Sequence, residues 1–203
     1  MTQREGSEDV DESKRSTLKR FAALGAATPL VHLSTNDVSD VRDAIVGYLA
    51  ATPGAHFSKL RDDLQLGTGE TQHHLRRLER DGVIEHRKDG EYKRYFPADR
   101  FSDFEQRALG YLRRGTPRKM LIALLRDPEA TGSEIAEVAD VSRSTISKSA
   151  AQLESAGLLS RTDGYALRRP ETLLTLVVRY ADSFGAEAVA FASDADEFVR
   201  YSP

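Results

Sequence analysis

The chain has 203 residues, 39% of them apolar and 30% charged, which is enough for one ordinary domain or two small ones. Cysteine is absent, which excludes disulfide scaffolds, thiolate zinc sites, iron–sulfur clusters and cysteine nucleophiles. The formal net charge of −3 means that a nucleic-acid-binding surface would have to be basic locally rather than overall.

The N-terminal residues 1–38 are predicted to be a flexible segment with one short helix. Residues 1–12 are polar and acidic and offer nothing to bury. Residues 14–31 resemble a twin-arginine export signal, although Lys14 stands where the first arginine is usual and Thr17 where a bulky apolar residue is usual. The alternative, which we favour, is a short amphipathic helix that ends before Pro29 and packs against the body of the protein. No apolar run reaches the 18 residues of a membrane-spanning helix, so we expect a cytoplasmic protein that makes no membrane contact.

An internal repeat occupies the centre of the chain. A shift of 75 residues aligns the sequence with itself without gaps over about 44 positions. Leu49 then falls on Leu124, Leu78 on Leu153, and Gly82-Val83-Ile84 on Gly157-Leu158-Leu159. Because the agreement covers three helices, a glycine and a turn, it indicates two copies of one structural unit.

The first copy reads as three helices followed by a two-stranded hairpin. The apolar spacing predicts a first helix that stops near Pro53-Gly54, a second over residues 58–65 and a third that starts after Thr68 and runs to Asp81. Gly82 is expected to end the third helix in a left-handed conformation. An Asp89-Gly90 turn between two strand-like runs predicts the hairpin.

The second copy repeats this order, with helices predicted over 117–126, 132–139 and 143–156 and a shorter hairpin around Asp163-Gly164. Ser142 is the expected N-cap of the third helix. Between the copies, Phe101, Phe104, Leu109 and Leu112 give residues 101–114 a face that can be buried.

The C-terminal segment reads as one long helix that starts after Pro170 and continues past Gly185 to Phe198. It is apolar on too many sides for a lone surface helix. Either it packs into the body of the protein or it pairs with a second subunit, and we expect a homodimer through this helix.

Three helices, a tight turn before the third and a hairpin wing resemble the winged helix-turn-helix fold. Residues 71–84 and 142–159 are similar to the passage from recognition helix to wing in MarR- and ArsR-type transcription regulators, and the tandem arrangement resembles archaeal regulators. The resemblance implies a mainly α fold with small β-hairpin wings (α+β). The expected organisation is a winged-helix domain at 39–98, a linker helix at 99–116, a second winged-helix domain at 117–169 and the C-terminal helix at 170–203.

The resemblance also implies a sequence-specific DNA-binding transcription regulator, with double-stranded DNA as partner and no enzymatic activity. In this fold the third helix enters the major groove, and a basic wing is suited to the minor groove. The expected DNA-binding residues of the first copy are Gln72, His73, Arg76, Arg77, Arg87, Lys88, Lys93 and Arg94. Those of the second copy are Arg143, Ser144, Ser147, Lys148 and Arg161.

Other chemistry finds little support in the sequence. The histidines include no metal-binding spacing, and there is no glycine-rich phosphate loop or catalytic triad context. We therefore expect no cofactor, no metal and no catalytic residues. Glu70, at the start of the first copy's third helix, would repel phosphate. It favours the alternative function, a winged-helix protein–protein interaction module of the chromosome or transcription machinery.

Overall fold

The computed structural model describes residues 14–23 and 37–195. The predicted disorder of residues 1–12 lies outside the described residues, as do residues 24–31 of the export-like segment and the expected helix end at Phe198. The chain divides into two compact units, residues 1–101 (unit 1) and 102–203 (unit 2). Both are mainly helical with small antiparallel sheets, as the sequence predicts.

The first described element of unit 1 is a short helix, which the sequence predicts to end before Pro29. Its elements are α1 (residues 14–23), α2 (Asp37–Ala51), β1 (Ala55–His56), α3 (Phe57–Asp63), α4 (Thr68–Arg80), β2 (Ile84–Asp89) and β3 (Tyr92–Pro97).

The core of unit 1 lies between α2, α3 and α4. Leu49, Leu60 and Leu64 are fully buried, and Leu75 and Leu78 nearly so, as the apolar spacing of these helices implies. Gly82 follows α4 with a φ of 68°, so the left-handed helix end is also confirmed.

The wing of unit 1 is a three-stranded sheet in the order β1-β3-β2. Strands β2 and β3 pair from Ile84↔Pro97 to Asp89↔Tyr92, which places the two-residue loop at Gly90-Glu91, one residue later than predicted. The sequence gives no sign of β1, because two residues are too few for a periodic pattern. This strand pairs with β3 and ties the wing to the region after α2.

Helix α1 packs against the core of unit 1. Leu18 is buried among the core residues, and the ring of Phe21 lies 5.2 Å from that of Tyr48 in an edge-on arrangement. The favoured prediction of a short amphipathic helix on the body of the protein is therefore confirmed for residues 14–23.

Unit 2 contains a second helix-helix-helix-hairpin arrangement with helices before and after it. Its elements are α5 (Asp103–Leu112), α6 (Gly115–Arg126), α7 (Gly132–Ala139), α8 (Arg143–Ser155), β4 (Leu159–Ser160), β5 (Ala166–Leu167), α9 (Pro170–Arg179), α10 (Ala181–Phe184) and α11 (Ala186–Ser193). The bounds of α7 are those predicted, and its N-cap Thr131 and Glu134 form a reciprocal capping box that fixes its start.

The C-terminal segment is not one long helix, so that prediction is wrong. The backbone leaves helical geometry at Tyr180 (φ −116°) and again at Gly185, whose φ of 106° suits glycine. The hydroxyl of Ser183 donates to the carbonyl of Tyr180 and stabilises the first break. Buried Leu173, Val177 and Phe191 show that the apolar residues serve the core of unit 2.

Candidate nucleic-acid interface

The third helix of the first copy, α4, presents a polar face to solvent. Its predicted contact residues Gln72, His73, Arg76 and Arg77 are all exposed. They line a shallow groove together with Gly69, Arg80 and Asp81. Arg42 of α2 donates to Asp81 at 2.7 Å, which anchors the end of α4 to α2.

The start of α4 carries the acidic residue that disfavours phosphate binding. The carboxylate of Glu70 accepts from the backbone N–H of Gly67 at 3.1 Å and lies 3.3 Å from the ammonium of Lys14 in α1. Part of its negative charge is therefore offset within unit 1. The sequence does not predict this pair, because 56 residues separate its members.

His74 sits on the inward side of α4. It is 6% exposed, and its Nδ1 atom has no hydrogen-bond partner among the described residues. Burial lowers the pKa of His74, and the neighbouring His73 acts in the same direction. Across the described residues no group of three or more His, Asp or Glu side chains is placed to hold a metal ion.

The predicted contact residues on the wing of unit 1 differ in their exposure to solvent. Lys88 is exposed, Arg87 is half-buried, and Lys93 is exposed but lies 3.0 Å from the carboxylate of Glu79. Arg94 is buried at 4% exposure, where its guanidinium donates to Asp89 and to the carbonyl of Gly54. The prediction that Arg94 lies at the surface for DNA contact is therefore wrong, because this side chain holds the wing together.

A glutamate joins the third helix to the wing in each copy. In unit 1 the carboxylate of Glu79 lies 2.6 Å from Nδ1 of His86. In unit 2, Glu154 accepts from the guanidinium of Arg161 at 2.7 Å and from the backbone N–H of Arg161 at 3.2 Å. Both pairs span seven residues, and each member of the second stands 75 positions after its counterpart in the first. The recurrence of this pair at the 75-residue offset therefore indicates the contact in the sequence, whereas each residue by itself does not.

The third helix of the second copy, α8, has a sharper division of faces. Ile146, Ala150 and Leu153 are fully buried on its inward face. Ser142 caps the helix by accepting from the N–H of Thr145 at 3.2 Å, which confirms the predicted N-cap. The outward side chains of the first turns, all exposed, are Arg143, Ser144, Ser147 and Lys148.

The basic side chains of α8 have acidic side chains close to them. No acidic residue occurs between Val141 and Leu153, whereas Glu137 and Asp140 at the end of α7 share a groove with Arg143. Arg161 is exposed, but its guanidinium is engaged by Glu154. The basic character of this surface is therefore concentrated on Arg143 and Lys148.

Comparison with known proteins agrees with this geometry. Residues 39–109 match the model of a family described as an N-terminal HTH domain, and residues 119–169 match the model of the MarR family. The chain therefore carries an HTH domain in unit 1 and a MarR-like winged helix-turn-helix domain in unit 2. Each of the two matched segments contains one of the exposed third helices described above.

Part of the chain also matches a relative that is named as HTH-type. The chain is 30% identical over 128 residues to an uncharacterized HTH-type transcriptional regulator of Methanocaldococcus jannaschii. The match covers 63% of the chain, which spans about a third (32%) of the length of that relative. No solved structure matches the chain significantly. Of the helices in residues 14–23 and 37–195, none is both long and apolar enough to cross a membrane.

Proposed function

We propose that this chain is a non-enzymatic, sequence-specific transcription regulator that binds double-stranded DNA through its two winged helix-turn-helix domains. The observation that carries the proposal is the exposed face of α8, where Arg143, Ser144, Ser147 and Lys148 stand on the first turns. The family matches support the same class of protein.

The residue types on α8 suit a duplex. Arginine and lysine donate to guanine edges and to phosphates, and serine hydroxyls donate or accept at any base edge. The small side chains of Ser144 and Ser147 let the helix backbone approach the floor of the groove. Ser142 fixes the start of the helix, so these groups are presented from a rigid element.

Unit 1 would supply a second contact through α4 and its wing. Gln72, His73, Arg76 and Arg77 face solvent along one side of α4. The exposed Lys88 of the wing is suited to phosphate or minor-groove contact, and the half-buried Arg87 precedes it on the same strand. Lys93 and Arg161 would contribute less, because each lies against a glutamate. Arg94 takes no part.

The test is DNA binding by the intact chain across a range of salt concentrations. We expect Arg143→Ala with Lys148→Ala to weaken binding at least tenfold, since one good base contact contributes about 1–3 kcal/mol. The slope of log K against log salt should also become shallower by about 0.9 for each phosphate that the variant no longer neutralises. Arg179→Ala is the matched control, because Arg179 is an exposed arginine on α9 of the same unit.

Two results would count against the proposal. If the folded wild-type chain binds genomic fragments no better than an unrelated acidic protein does, DNA binding fails. The alternative function, a protein–protein interaction module, would then account better for Glu70 and for the modest overall charge. If the wild-type chain binds and the α8 double variant behaves like Arg179→Ala, α8 is not the reading helix.

Homodimerisation and a cytoplasmic location complete the proposal. Most apolar residues of the C-terminal helices are used inside unit 2, but Val178 and Val189 are each 38% exposed. They give α9 and α11 apolar surface for a second copy. Sedimentation of the chain at tens of micromolar tests this directly, and a monomer there would contradict it.

A further inference from the structure

Helix α1 has two faces of opposite character. Leu18 and Phe21 point into unit 1, where Leu18 is buried and Phe21 meets the ring of Tyr48. The 3.6-residue period places Lys19 and Arg20 away from these two residues and Arg15 at the flank, and all three are exposed. Residues 14–23 contain no acidic side chain. The outward face of α1 is therefore a compact basic patch, although the whole chain is acidic.

The start of α1 lies beside the first turn of α4. The ion pair between Lys14 and Glu70, 3.3 Å long, fixes this position. Lys19 and Arg20 follow Lys14 by five and six residues, or about 8–9 Å along the helix axis. A major groove is about 12 Å wide. A duplex that receives the first turn of α4 would thus bring its phosphate backbone close to the start of α1.

We propose that α1 is a third DNA-contacting element of unit 1, in which Lys19 and Arg20 bind the phosphate backbone beside the groove entered by α4. Lys14 acts differently, by offsetting the charge of Glu70 that would otherwise repel the same backbone. This inference rests on the proposed function. It also accounts for part of the segment that resembles an export signal: Lys19 and Arg20 face DNA, and Leu18 and Phe21 pack in the domain.

The experiment compares salt titrations of DNA binding for the intact wild-type chain and for Lys19→Ala with Arg20→Ala. We expect the double variant to bind about tenfold more weakly at moderate salt, with a slope shallower by about 1.8 because two fewer phosphates are neutralised. The charge-retaining control, Lys19→Arg with Arg20→Lys, should bind like the wild type. Both side chains are exposed, so the thermal midpoint should not move. If the double variant does not fold, the single variants Lys19→Gln and Arg20→Gln replace it, each with half the change in slope.

A second set of variants isolates the role of Lys14. Lys14→Ala should weaken binding because it unmasks Glu70, and the same substitution made in a Glu70→Gln background should have little further effect. Glutamine retains an oxygen that accepts from the N–H of Gly67, so the start of α4 is preserved. Equal losses in both backgrounds would mean that Lys14 does not act through Glu70, which contradicts that part of the inference.

The outcomes distinguish a failure of this inference from a failure of the proposed function. If the wild-type chain binds and the α1 double variant binds with the same affinity and slope, the α1 inference is wrong while the proposed function stands. If the wild-type chain binds no DNA, the proposed function and the inference fail together. A loss of affinity that the charge-retaining control shares would point to packing rather than charge and would also overturn the inference.

Discussion

Nδ1 of His86 lies 2.6 Å from the carboxylate of Glu79, and this contact joins the last turn of α4 to the wing of unit 1. The corresponding contact in unit 2 joins Glu154 to Arg161. In a winged helix the third helix and the wing bind neighbouring parts of the duplex. A bridge between them fixes the angle at which both are presented.

In unit 2, substitution of Glu154 should lower the free energy of unfolding more than substitution of Arg161 does. Glu154→Ala loses both an ion pair and a hydrogen bond to the backbone N–H of Arg161, so we expect the free energy of unfolding to fall by about 1 kcal/mol. Arg161→Ala should cost about half as much, because it removes only the exposed ion pair. Urea denaturation of the full chain measures both changes.

Because His86 and Arg161 occupy equivalent positions of the repeat, a matched substitution can be made in unit 1. His86→Arg installs there the residue that unit 2 uses at the equivalent position, so stability should change by less than about 0.5 kcal/mol. A loss of stability larger than that of Glu79→Ala would contradict the equivalence of the two bridges.

Substitution should distinguish the buried cation of the unit 1 wing from an exposed one. Arg94→Ala leaves Asp89 and the Gly54 carbonyl without their buried partner, so we expect a loss of about 3 kcal/mol in the free energy of unfolding. Lys88→Ala should leave stability within about 0.5 kcal/mol and should weaken DNA binding. Denaturation and binding measured on the same two variants check this, and a stable Arg94→Ala protein would contradict the structural role.

His74 makes the stability of unit 1 depend on pH. Because burial lowers the pKa of His74 from its usual 6.5, the unfolded chain binds more protons than the folded chain between the two pKa values. The free energy of unfolding should therefore fall as the pH decreases from about 6.5 toward the lowered folded-state value. The charged groups facing His74 are His73, Glu70, Arg42 and Arg77, and they remain in the control.

The control is His74→Leu, which places an apolar side chain of similar size at this buried position and removes the titratable imidazole. Between pH 7 and pH 5, the free energy of unfolding of this variant should decrease by less than that of the wild type. Parallel pH dependences of the two proteins, measured by urea denaturation, would exclude His74 as the cause.

Local sequence patterns were enough to predict the helices of both copies. The bounds of α7 match because Thr131 and Glu134 cap the helix through neighbouring residues. Gly82 ends α4 as predicted because a left-handed residue suits glycine. In these cases the residues that decide the structure lie within one turn of each other, so the sequence alone carries the information.

The failures arise from contacts that are distant in sequence or from short elements. Arg94 is buried because β1, only two residues long, pairs with β3 and brings the carbonyl of Gly54 to its guanidinium. The charge of Glu70 is offset by a lysine 56 residues away. Gly185 is a local signal for the end of the C-terminal helix, but the apolar run around it favours the longer prediction.

Selection of bound fragments from fragmented genomic DNA by the intact chain tests the central claim most directly. We predict enrichment of fragments that share a common sequence, and footprints on them that the Arg143→Ala, Lys148→Ala variant fails to protect. Two half-sites one helical turn or a multiple of it apart would additionally indicate a homodimer. Recovery of fragments in their input proportions by a folded wild-type protein would contradict sequence-specific DNA binding.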